Sequence, residues 1–408
     1  MKLWLKYLIG LVVGIGLAFL VPLMGTKAVE SVSFIADIAL RFIRFSLLPV
    51  LFFGISSSFF KLRDERMMGR TALWTVGVIV CSTAGLVLLG LLSALIVKLP
   101  RIPITVEKLS ETPGVDLKQL IASLFPVSGF GALVDGAFLL PVFIFAGLAG
   151  AGAVSDKVAS KQAIGLFDSL SKVFYNVMSF ITEIIEVGII AVSCKWTIEL
   201  MSALKSGMFG NLIILLAVDT IIVIIAYILI LRFLCHDLHP LHVLYAGLCA
   251  FFVAFFGGDS NAALPLVMRC GKESLGIRRR INATVPTLLN VFARGGAGMV
   301  VSISFVLIMR SYSSLGVGFG DALWIAAVSF LLSFVLGNYP VAGPFAALTM
   351  ICAMYGRGFE QGYLLLKNAF PIICCFAAGI DVLTNIFGTY IVGVKTKMVI
   401  HKEVSQYI

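Results

Sequence analysis

Eight long apolar segments, separated by short charged clusters, constrain this 408-residue chain more than any other feature. A helix needs about 20 apolar residues to cross the hydrocarbon core of a bilayer. The segment 162–203 is too long for one helix perpendicular to the membrane, so we expect it to tilt or bend. We predict spans near residues 3–24, 35–60, 72–98, 138–155, 162–203, 208–234, 277–310 and 360–394.

The composition agrees with this interpretation and excludes several classes of protein. Hydrophobic residues make up 60% of the chain and charged residues 13%, about half of the roughly 25% that is usual in soluble domains. Because a soluble fold cannot bury so much apolar surface, the chain is neither a soluble enzyme nor a disordered protein. The net charge of +10 is divided among short clusters, which excludes a nucleic-acid-binding surface.

The basic clusters predict the orientation of the spans. Lysine and arginine are enriched in the cytoplasmic loops of membrane proteins. In the eight-span arrangement most of them fall on one side, which predicts a multi-pass cell-membrane protein with both termini in the cytoplasm. The residues on that side are Lys2, Lys6, Lys61, Arg63, Arg66, Arg70, Lys157, Lys161, Arg232, Arg269, Lys272, Arg278, Arg279, Arg280, Lys395, Lys397 and Lys402.

Two further apolar stretches are interrupted near their middle. Residues 240–270 contain Gly257-Gly258-Asp259-Ser260-Asn261, and residues 321–356 contain Gly337-Asn338-Tyr339-Pro340. Arms this short predict re-entrant hairpins, whose irregular tips survive at membrane depth only against protein or a water-filled cavity. Each hairpin is followed by a span, so residues 240–310 and 321–394 form an inverted repeat. Inverted repeats with broken helices are typical of secondary transporters. The sequence shows no phosphate-binding loop of the kind that would indicate ATP-driven transport.

Several motifs resemble those of the dicarboxylate/amino acid:cation symporters, the glutamate transporter homologues. Residues 40–54 resemble the second span of that family, with Pro49 before an apolar-Phe-Phe run, and residues 140–147 resemble the fourth. The family's first hairpin tip is serine-rich and ends Gly-Thr-Leu-Pro, and here residues 259–265 end Ala-Ala-Leu-Pro. Residues 340–343 read Pro-Val-Ala-Gly, where the family has a Pro-Gly-Ala-Gly-like turn.

The resemblance implies an all-α integral membrane protein with eight transmembrane helices and two re-entrant helical hairpins. It also implies a homotrimer, in which helices 3, 6, 7 and 8 and both hairpins move as an elevator against a scaffold. The corresponding units are 1–71 (scaffold helices 1 and 2), 72–118 (helix 3 and its loop), 119–207 (scaffold helices 4 and 5), 208–239 (helix 6), 240–276 (hairpin 1), 277–320 (helix 7), 321–358 (hairpin 2), 359–396 (helix 8) and 397–408 (a cytoplasmic tail).

The residues that carry function in the family are changed here. Where the seventh span of the family has the sodium-binding Asn-Met-Asp-Gly-Thr, this chain has Phe292-Ala293-Arg294-Gly295-Gly296. Four substrate and sodium positions of the eighth span, Asp, Arg, Asn and Asp in the family, are Cys374, Ala377, Asp381 and Asn385 here. The resemblance and the two hairpin tips together give a candidate substrate site. Its residues are Asp259, Ser260, Asn261, Arg294, Val341, Ala342, Gly343, Cys374, Ala377, Ala378, Asp381 and Asn385.

Arg294 is the most consequential of these changes. A guanidinium donates hydrogen bonds and repels sodium, which needs several oxygen ligands. A charge at mid-membrane depth raises the free energy of insertion by about 2.5–3.5 kcal/mol unless it is paired with an opposite charge or hydrated. We hypothesise an internal ion pair between Arg294 and Asp381 that stands in for bound sodium. The alternative is that Arg294 reaches a cavity and Asp381 is solvated separately.

The candidate residues also limit the substrate. Ala377 and Cys374 lack the charges that would hold a side-chain carboxylate and an α-ammonium, so an acidic amino acid is not expected. Asp259 offers a carboxylate to an amine or a proton, and it equally suits the N-cap of the arm that follows it. We therefore expect a small amino acid or carboxylate-like solute, transported with sodium coupling reduced or replaced. The alternatives are an ordinary sodium symporter and a non-transporting anion channel or receptor.

The remaining motifs do not indicate an enzyme, a metal site or a cofactor. His236, His239 and His242 are spaced three apart, but Pro240 interrupts any single helix there, and we expect an interfacial cluster. Arg41 and Arg44 lie within the second predicted span, where we expect them to reach lipid headgroups or a subunit interface. The expected partners are the small-molecule substrate, the lipid bilayer and two further copies of the chain.

Overall fold

The computed structural model describes residues 2–97, 99–102, 131, 139–155, 158–205, 207–237, 239–312, 317–336, 343–356, 358–400, 402–403 and 407. Regular structure in this part of the chain is helical, with one isolated antiparallel bridge between Ile277 and Val399. The helices before the first hairpin are α1 (Leu3–Leu20, continued by a 3-10 turn, Val21–Met24), α2 (Thr26–Phe45), α3 (Leu47–Asp64), α4 (Met68–Ile96), α5 (Leu139–Gly152), α6 (Lys161–Lys205) and α7 (Gly210–Leu234).

The second part of the chain contains the two hairpins and the helices that follow them. Hairpin 1 comprises α8 and α9, and hairpin 2 comprises α12 and α13, whose predicted tip at residues 337–342 lies outside the described residues. The helices are α8 (Leu241–Gly257), α9 (Ser260–Glu273), α10 (Arg279–Phe292), α11 (Gly295–Tyr312), α12 (Phe319–Val335), α13 (Gly343–Tyr355) and α14 (Phe370–Lys395, preceded by a 3-10 segment, Gly362–Ala369).

Seven segments of the described chain are long and apolar enough to cross a membrane, where the sequence predicted eight. The difference is the predicted span 138–155, whose described helix, α5, has only 14 residues. Fourteen residues rise about 21 Å, which is less than the roughly 30 Å of the hydrocarbon core. The seven are Leu3–Met24, Thr26–Asp64, Met68–Ile96, Lys161–Lys205, Gly210–Leu234, Arg279–Tyr312 and Gly362–Lys395.

Two predicted spans differ from the observed helices because of local backbone chemistry. The span predicted at 35–60 is longer and divided, with α2 ending at Phe45 and α3 beginning at Leu47. Pro49 explains the division, because proline has no N–H for the carbonyl of Phe45 and its ring clashes there. The span predicted at 277–310 is broken at Ala293 and Arg294, immediately before the flexible pair Gly295-Gly296.

The predicted long segment 162–203 is one continuous helix, α6, of 45 residues. It is about 68 Å long, which is roughly twice the thickness of the hydrocarbon core. The helices α1, α2 and α3 pack along α6, and α5 packs on α3. We call these five helices the outer group.

The other helices form an inner group, centred on α11 and α14. Helix α14 contacts α8, α10 and α11, and α4 packs along α11. Burial distinguishes two segments of the inner group: 94% of the best apolar window of Arg279–Tyr312 and 89% of that of Gly362–Lys395 are buried, against 33–44% for the other five segments. The break between α10 and α11 therefore lies at the centre of the molecule, where irregular backbone is covered by protein.

The C-terminal tail closes the inner group. The amide of Arg278 donates to the carbonyl of Met398 (2.9 Å), and that of Ile400 donates to Gly276 (3.0 Å). Gly276 has a positive φ of 66°, which favours glycine. The tail thus binds the segment that leaves hairpin 1.

Candidate substrate site

The tip of hairpin 1 is built around a left-handed glycine and an aspartate cap. Gly258 (φ 62°, ψ 20°) ends α8, and Asp259 follows in an extended conformation. The Asp259 carboxylate accepts hydrogen bonds from the backbone amides of Asn261 (2.9 Å) and Ala262 (3.1 Å). The N-cap interpretation of Asp259 is therefore confirmed, and both of its oxygens are occupied by the start of α9.

Arg294 lies in the break between α10 and α11 and points its guanidinium at that tip. Its side chain is buried, with Nη1 donating to the Ser260 hydroxyl and Nη2 to Asn261 Oδ1 (3.2 Å). Asn261 Oδ1 also accepts a hydrogen bond from Asn290 Nδ2 (2.5 Å). The Nε atom of Arg294 is buried without a hydrogen-bond partner in the described part of the chain.

Asp381 faces Arg294 from α14. Its Oδ1 accepts hydrogen bonds from the backbone amides of Gly296 (2.7 Å) and Ala297 (3.3 Å) at the start of α11. Its Oδ2 lies 3.7 Å from Arg294 Nη1, which is within ion-pair distance but too long for a direct hydrogen bond. A buried carboxylate here is stabilised both by the guanidinium and by the positive end of a helix dipole.

A glycine makes this approach possible. A Cβ atom at Gly296 would lie 2.8 Å from Asp381 Oδ1 and 2.8 Å from the carbonyl oxygen of Ala377. Both distances are shorter than van der Waals contact allows. The absence of a side chain at Gly296 therefore lets α14 bring Asp381 to the N-terminus of α11.

A small pocket of about 10 Å³ lies beside this ion pair, which leaves room for about one water molecule. Its polar wall consists of the two charged groups, and the rest of it is apolar or small. The lining residues are Gly258, Arg294, Ala297, Leu336, Gly343, Pro344, Cys374, Ala377, Ala378 and Asp381.

Six of the twelve candidate residues line this pocket: Arg294, Gly343, Cys374, Ala377, Ala378 and Asp381. Three others, Asp259, Ser260 and Asn261, lie at the hairpin tip, where their side chains bind neighbouring protein groups instead of lining the pocket. Val341 and Ala342 lie outside the described residues.

Asn385 is also absent from the pocket lining. Its Nδ2 donates to the carbonyl of Pro286 (2.8 Å), and its Oδ1 accepts from Thr389 (3.2 Å). These bonds join α14 to the middle of α10, where Pro286 interrupts the helical hydrogen bonding. The structure therefore gives Asn385 a role in helix packing.

Sequence reasoning missed the contribution of α2 to the hairpin tip. The Arg44 guanidinium forms an ion pair with Asp259 Oδ2. This corrects the expectation that Arg44 reaches headgroups or a subunit interface, whereas Arg41, three residues earlier, is exposed. An arginine within an apolar span signals a buried partner, but the sequence does not say which one.

A second, larger cavity of about 190 Å³ lies where the C-terminal tail meets hairpin 1. His239 and His242 line it with Asp237, whose Oδ2 accepts a hydrogen bond from the Tyr390 hydroxyl (2.9 Å). Burial and the nearby Asp237 carboxylate raise the pKa of Tyr407, another lining residue. Within the described residues, no group of three histidine, cysteine or acidic side chains is arranged to hold a metal ion.

Comparison with known proteins decides the family. The model of the sodium:dicarboxylate symporter family matches residues 3–394. The chain belongs to this family. It is therefore a membrane transporter and not an enzyme, and the family implies a small-molecule substrate and a lipid bilayer around several spanning helices.

Curated relatives at low identity come from the same family. The L-cystine uptake protein TcyP of Bacillus licheniformis is 23% identical over 335 residues, covering 77% of this chain and 71% of that protein. The L-cystine uptake protein TcyP of Bacillus subtilis is 25% identical over 289 residues, covering 66% and 61%. The one from Bacillus thuringiensis strain Al Hakam is 21% identical over 370 residues, covering 85% and 79%.

Proposed function

We propose that this protein takes up an amino acid of the cystine type without a bound sodium ion, by an elevator movement of the inner group against the outer group. The observation that carries the proposal is Arg294 in the break of the seventh span, within 3.7 Å of Asp381. The cystine class is supported by the relatives' activity, and the family supports secondary transport.

The charge balance of the pocket supports independence from sodium. Arg294 and Asp381 neutralise each other, and the oxygens of Ser260 and Asn261 already accept hydrogen bonds from Arg294. A sodium ion placed there would find few free oxygens and an adjacent cation, although hard cations need several oxygen ligands. The guanidinium therefore occupies the region that a coupling cation would require.

The pocket also supports an exclusion of acidic amino acids. Cys374, Ala377 and Ala378 supply its lining on α14, and none of them carries a positive charge for a side-chain carboxylate. Arg294 is the only cation among the described lining residues, and it already faces Asp381. A zwitterionic or neutral substrate fits this pocket best, because it adds no net charge to it.

Uptake by the purified protein in liposomes tests the proposal directly. Radiolabelled L-cystine uptake is measured with an inward sodium gradient and with choline in its place. We expect equal initial rates in both salts, and aspartate should not compete. Uptake that requires sodium would overturn the assigned role of Arg294, and competition by aspartate would overturn the substrate class.

Two further proposals concern the orientation of the chain in the membrane and its assembly into an oligomer. The basic clusters support cytoplasmic termini, and the family resemblance supports a homotrimer with residues 1–71 and 119–207 as its scaffold. Labelling of a cysteine introduced at Lys397 in intact cells tests the orientation, since only a cytoplasmic tail is protected from an impermeant reagent. Native mass spectrometry tests the trimer.

A further inference from the structure

The ion pair between Arg44 and Asp259 joins the two groups of helices. Arg44 belongs to α2 of the outer group, and Asp259 caps the tip of hairpin 1 in the inner group. The Asp259 side chain is 0% exposed and that of Arg44 is 33% exposed. The carboxylate thus depends on a positive charge that another part of the molecule supplies.

Close packing at the same place shows that the tip rests directly on α2. A Cβ atom at Gly257 would lie 2.9 Å from Leu40 Cδ2, one helical turn from Arg44. Helix α9 also packs on α2. Any displacement of the hairpin tip along the outer group therefore separates Asp259 from Arg44.

The charges around the tip balance only while Arg44 is present. Arg44 comes from α2, Asp259 from the tip, Arg294 from the break before α11, and Asp381 from α14. These are two cations and two anions. Without Arg44, the inner group keeps one cation and two anions, a net charge of −1. An isolated buried carboxylate is strongly disfavoured, so a displaced tip needs a replacement cation.

We propose that Arg44 is the stationary counter-ion of Asp259, and that the ammonium group of an amino-acid substrate replaces it when the hairpin tip leaves α2. This inference rests on the proposed function, because it assumes that the inner group moves. Gly258, next to Asp259 in the sequence, lines the substrate pocket, so the pocket reaches the backbone of the hairpin tip.

The replacement should be a cation that donates hydrogen bonds. The Asp259 oxygens accept two backbone amides, and the neighbouring Ser260 and Asn261 oxygens accept from Arg294. Few free oxygens remain to coordinate a metal ion, whereas an ammonium needs only the acceptor site that Arg44 leaves. The hairpin tip then moves more readily with substrate bound than without it. Exchange of substrate across the membrane is therefore faster than net transport.

Flux in proteoliposomes tests the replacement. Exchange of external radiolabelled L-cystine for internal L-cystine is compared with net efflux into buffer without substrate. In the wild-type protein we expect exchange to exceed net efflux at least about tenfold, a difference of about 1.4 kcal/mol between loaded and empty carriers. In Asp259→Asn, which keeps the cap but removes the charge, the two rates should become similar.

Arg41→Gln is the matched control, because Arg41 is an exposed arginine on the same helix. It should keep the wild-type ratio of exchange to net efflux. The same assay is run at two pH values and with sodium on both sides. If acid or sodium raises wild-type net efflux to the exchange rate, a proton or sodium replaces Arg44 and the ammonium proposal is overturned.

Hydrogen exchange in lipid nanodiscs tests the ion pair without any transport. Arg44→Gln should speed amide exchange of residues 255–262 about tenfold or more, since it strands a buried carboxylate and favours local opening. Arg44→Gln combined with Asp259→Asn should restore slow exchange, and Arg41→Gln should not change it.

The two measurements separate the possible failures. A double variant that exchanges as fast as Arg44→Gln would show that Arg44 acts by packing alone, which overturns its role as a counter-ion. If wild-type liposomes do not move L-cystine, the proposed substrate is wrong, and the hydrogen-exchange result still decides whether Arg44 and Asp259 are paired.

Discussion

Two buried carboxylates in this protein have similar surroundings, but their arginine partners come from different groups of helices. Asp259 and Asp381 are both buried, both accept backbone amides at the start of a helix, and both face an arginine. The partner of Asp381 is Arg294, in the same group of helices, whereas the partner of Asp259 is Arg44, in the other group. In the proposed elevator movement the first pair would stay with the pocket, whereas the second would be broken.

Removing one member of the internal pair should have the largest effect. Arg294→Ala and Asp381→Ala should each lower the free energy of unfolding by about 3–5 kcal/mol, because each leaves a buried charge without a partner. The double variant should lose less than the sum of the two. Denaturation in detergent measures the three values, and strictly additive losses would show that the two side chains do not interact.

Disturbing the close contact between Asp381 and the N-terminus of α11 should cause the next largest loss of stability. Gly296→Ala places a Cβ against both Asp381 and the Ala377 carbonyl, and overpacking of this kind costs about 1–3 kcal/mol. The melting temperature should fall, and uptake should fall with it. Gly16→Ala in α1 is the control, since nothing lies within 4 Å of that position and its melting temperature should not decrease.

The cap at the hairpin tip can be separated from the ion pair by comparing two variants. Asp259→Asn keeps the cap and loses the charge, and Asp259→Ala loses both. Asp259→Ala should therefore be less stable than Asp259→Asn by about 1 kcal/mol, the usual value of an N-cap. Equal melting temperatures would mean that the cap does not hold the tip.

An exposed pair within the outer group should show the smallest effect. Lys195 Nζ lies 2.9 Å from Asp37 Oδ1, with 31% and 53% of the side chains exposed. Lys195→Ala should cost only about 0.2–1 kcal/mol, because water screens such pairs. A loss as large as that of Arg294→Ala would show that burial does not set the difference in stability between the two pairs.

Hydropathy predicted most of the helices and the tip of hairpin 1, because apolar length and glycine interruptions are properties of a local segment. It missed the break at Arg294, since the apolar run continues on both sides of it. The Gly295-Gly296 pair after an intramembrane arginine was the available signal. The contact of Arg44 with Asp259 joins residues more than 200 positions apart, and no local pattern carries that information.

Asn385 entered the candidate site through the family resemblance, and its position on α14 explains why it does not line the pocket. It lies on the same face of α14 as Cys374, because 11 residues make about three turns. Those turns also move it about 16 Å along the axis, to the level of Pro286. A residue can thus share a face with the pocket and still lie too far along the helix to reach it.

The bonds of the C-terminal tail bear on the order of biosynthesis. The segment around Arg278 leaves the first hairpin about 120 residues before Met398 returns to bind it. The base of that hairpin therefore stays incomplete until the residues around Met398 have emerged from the ribosome. A nascent chain halted after α14 would contain the described spanning helices, yet it would lack the hydrogen bonds from the tail to Gly276 and Arg278.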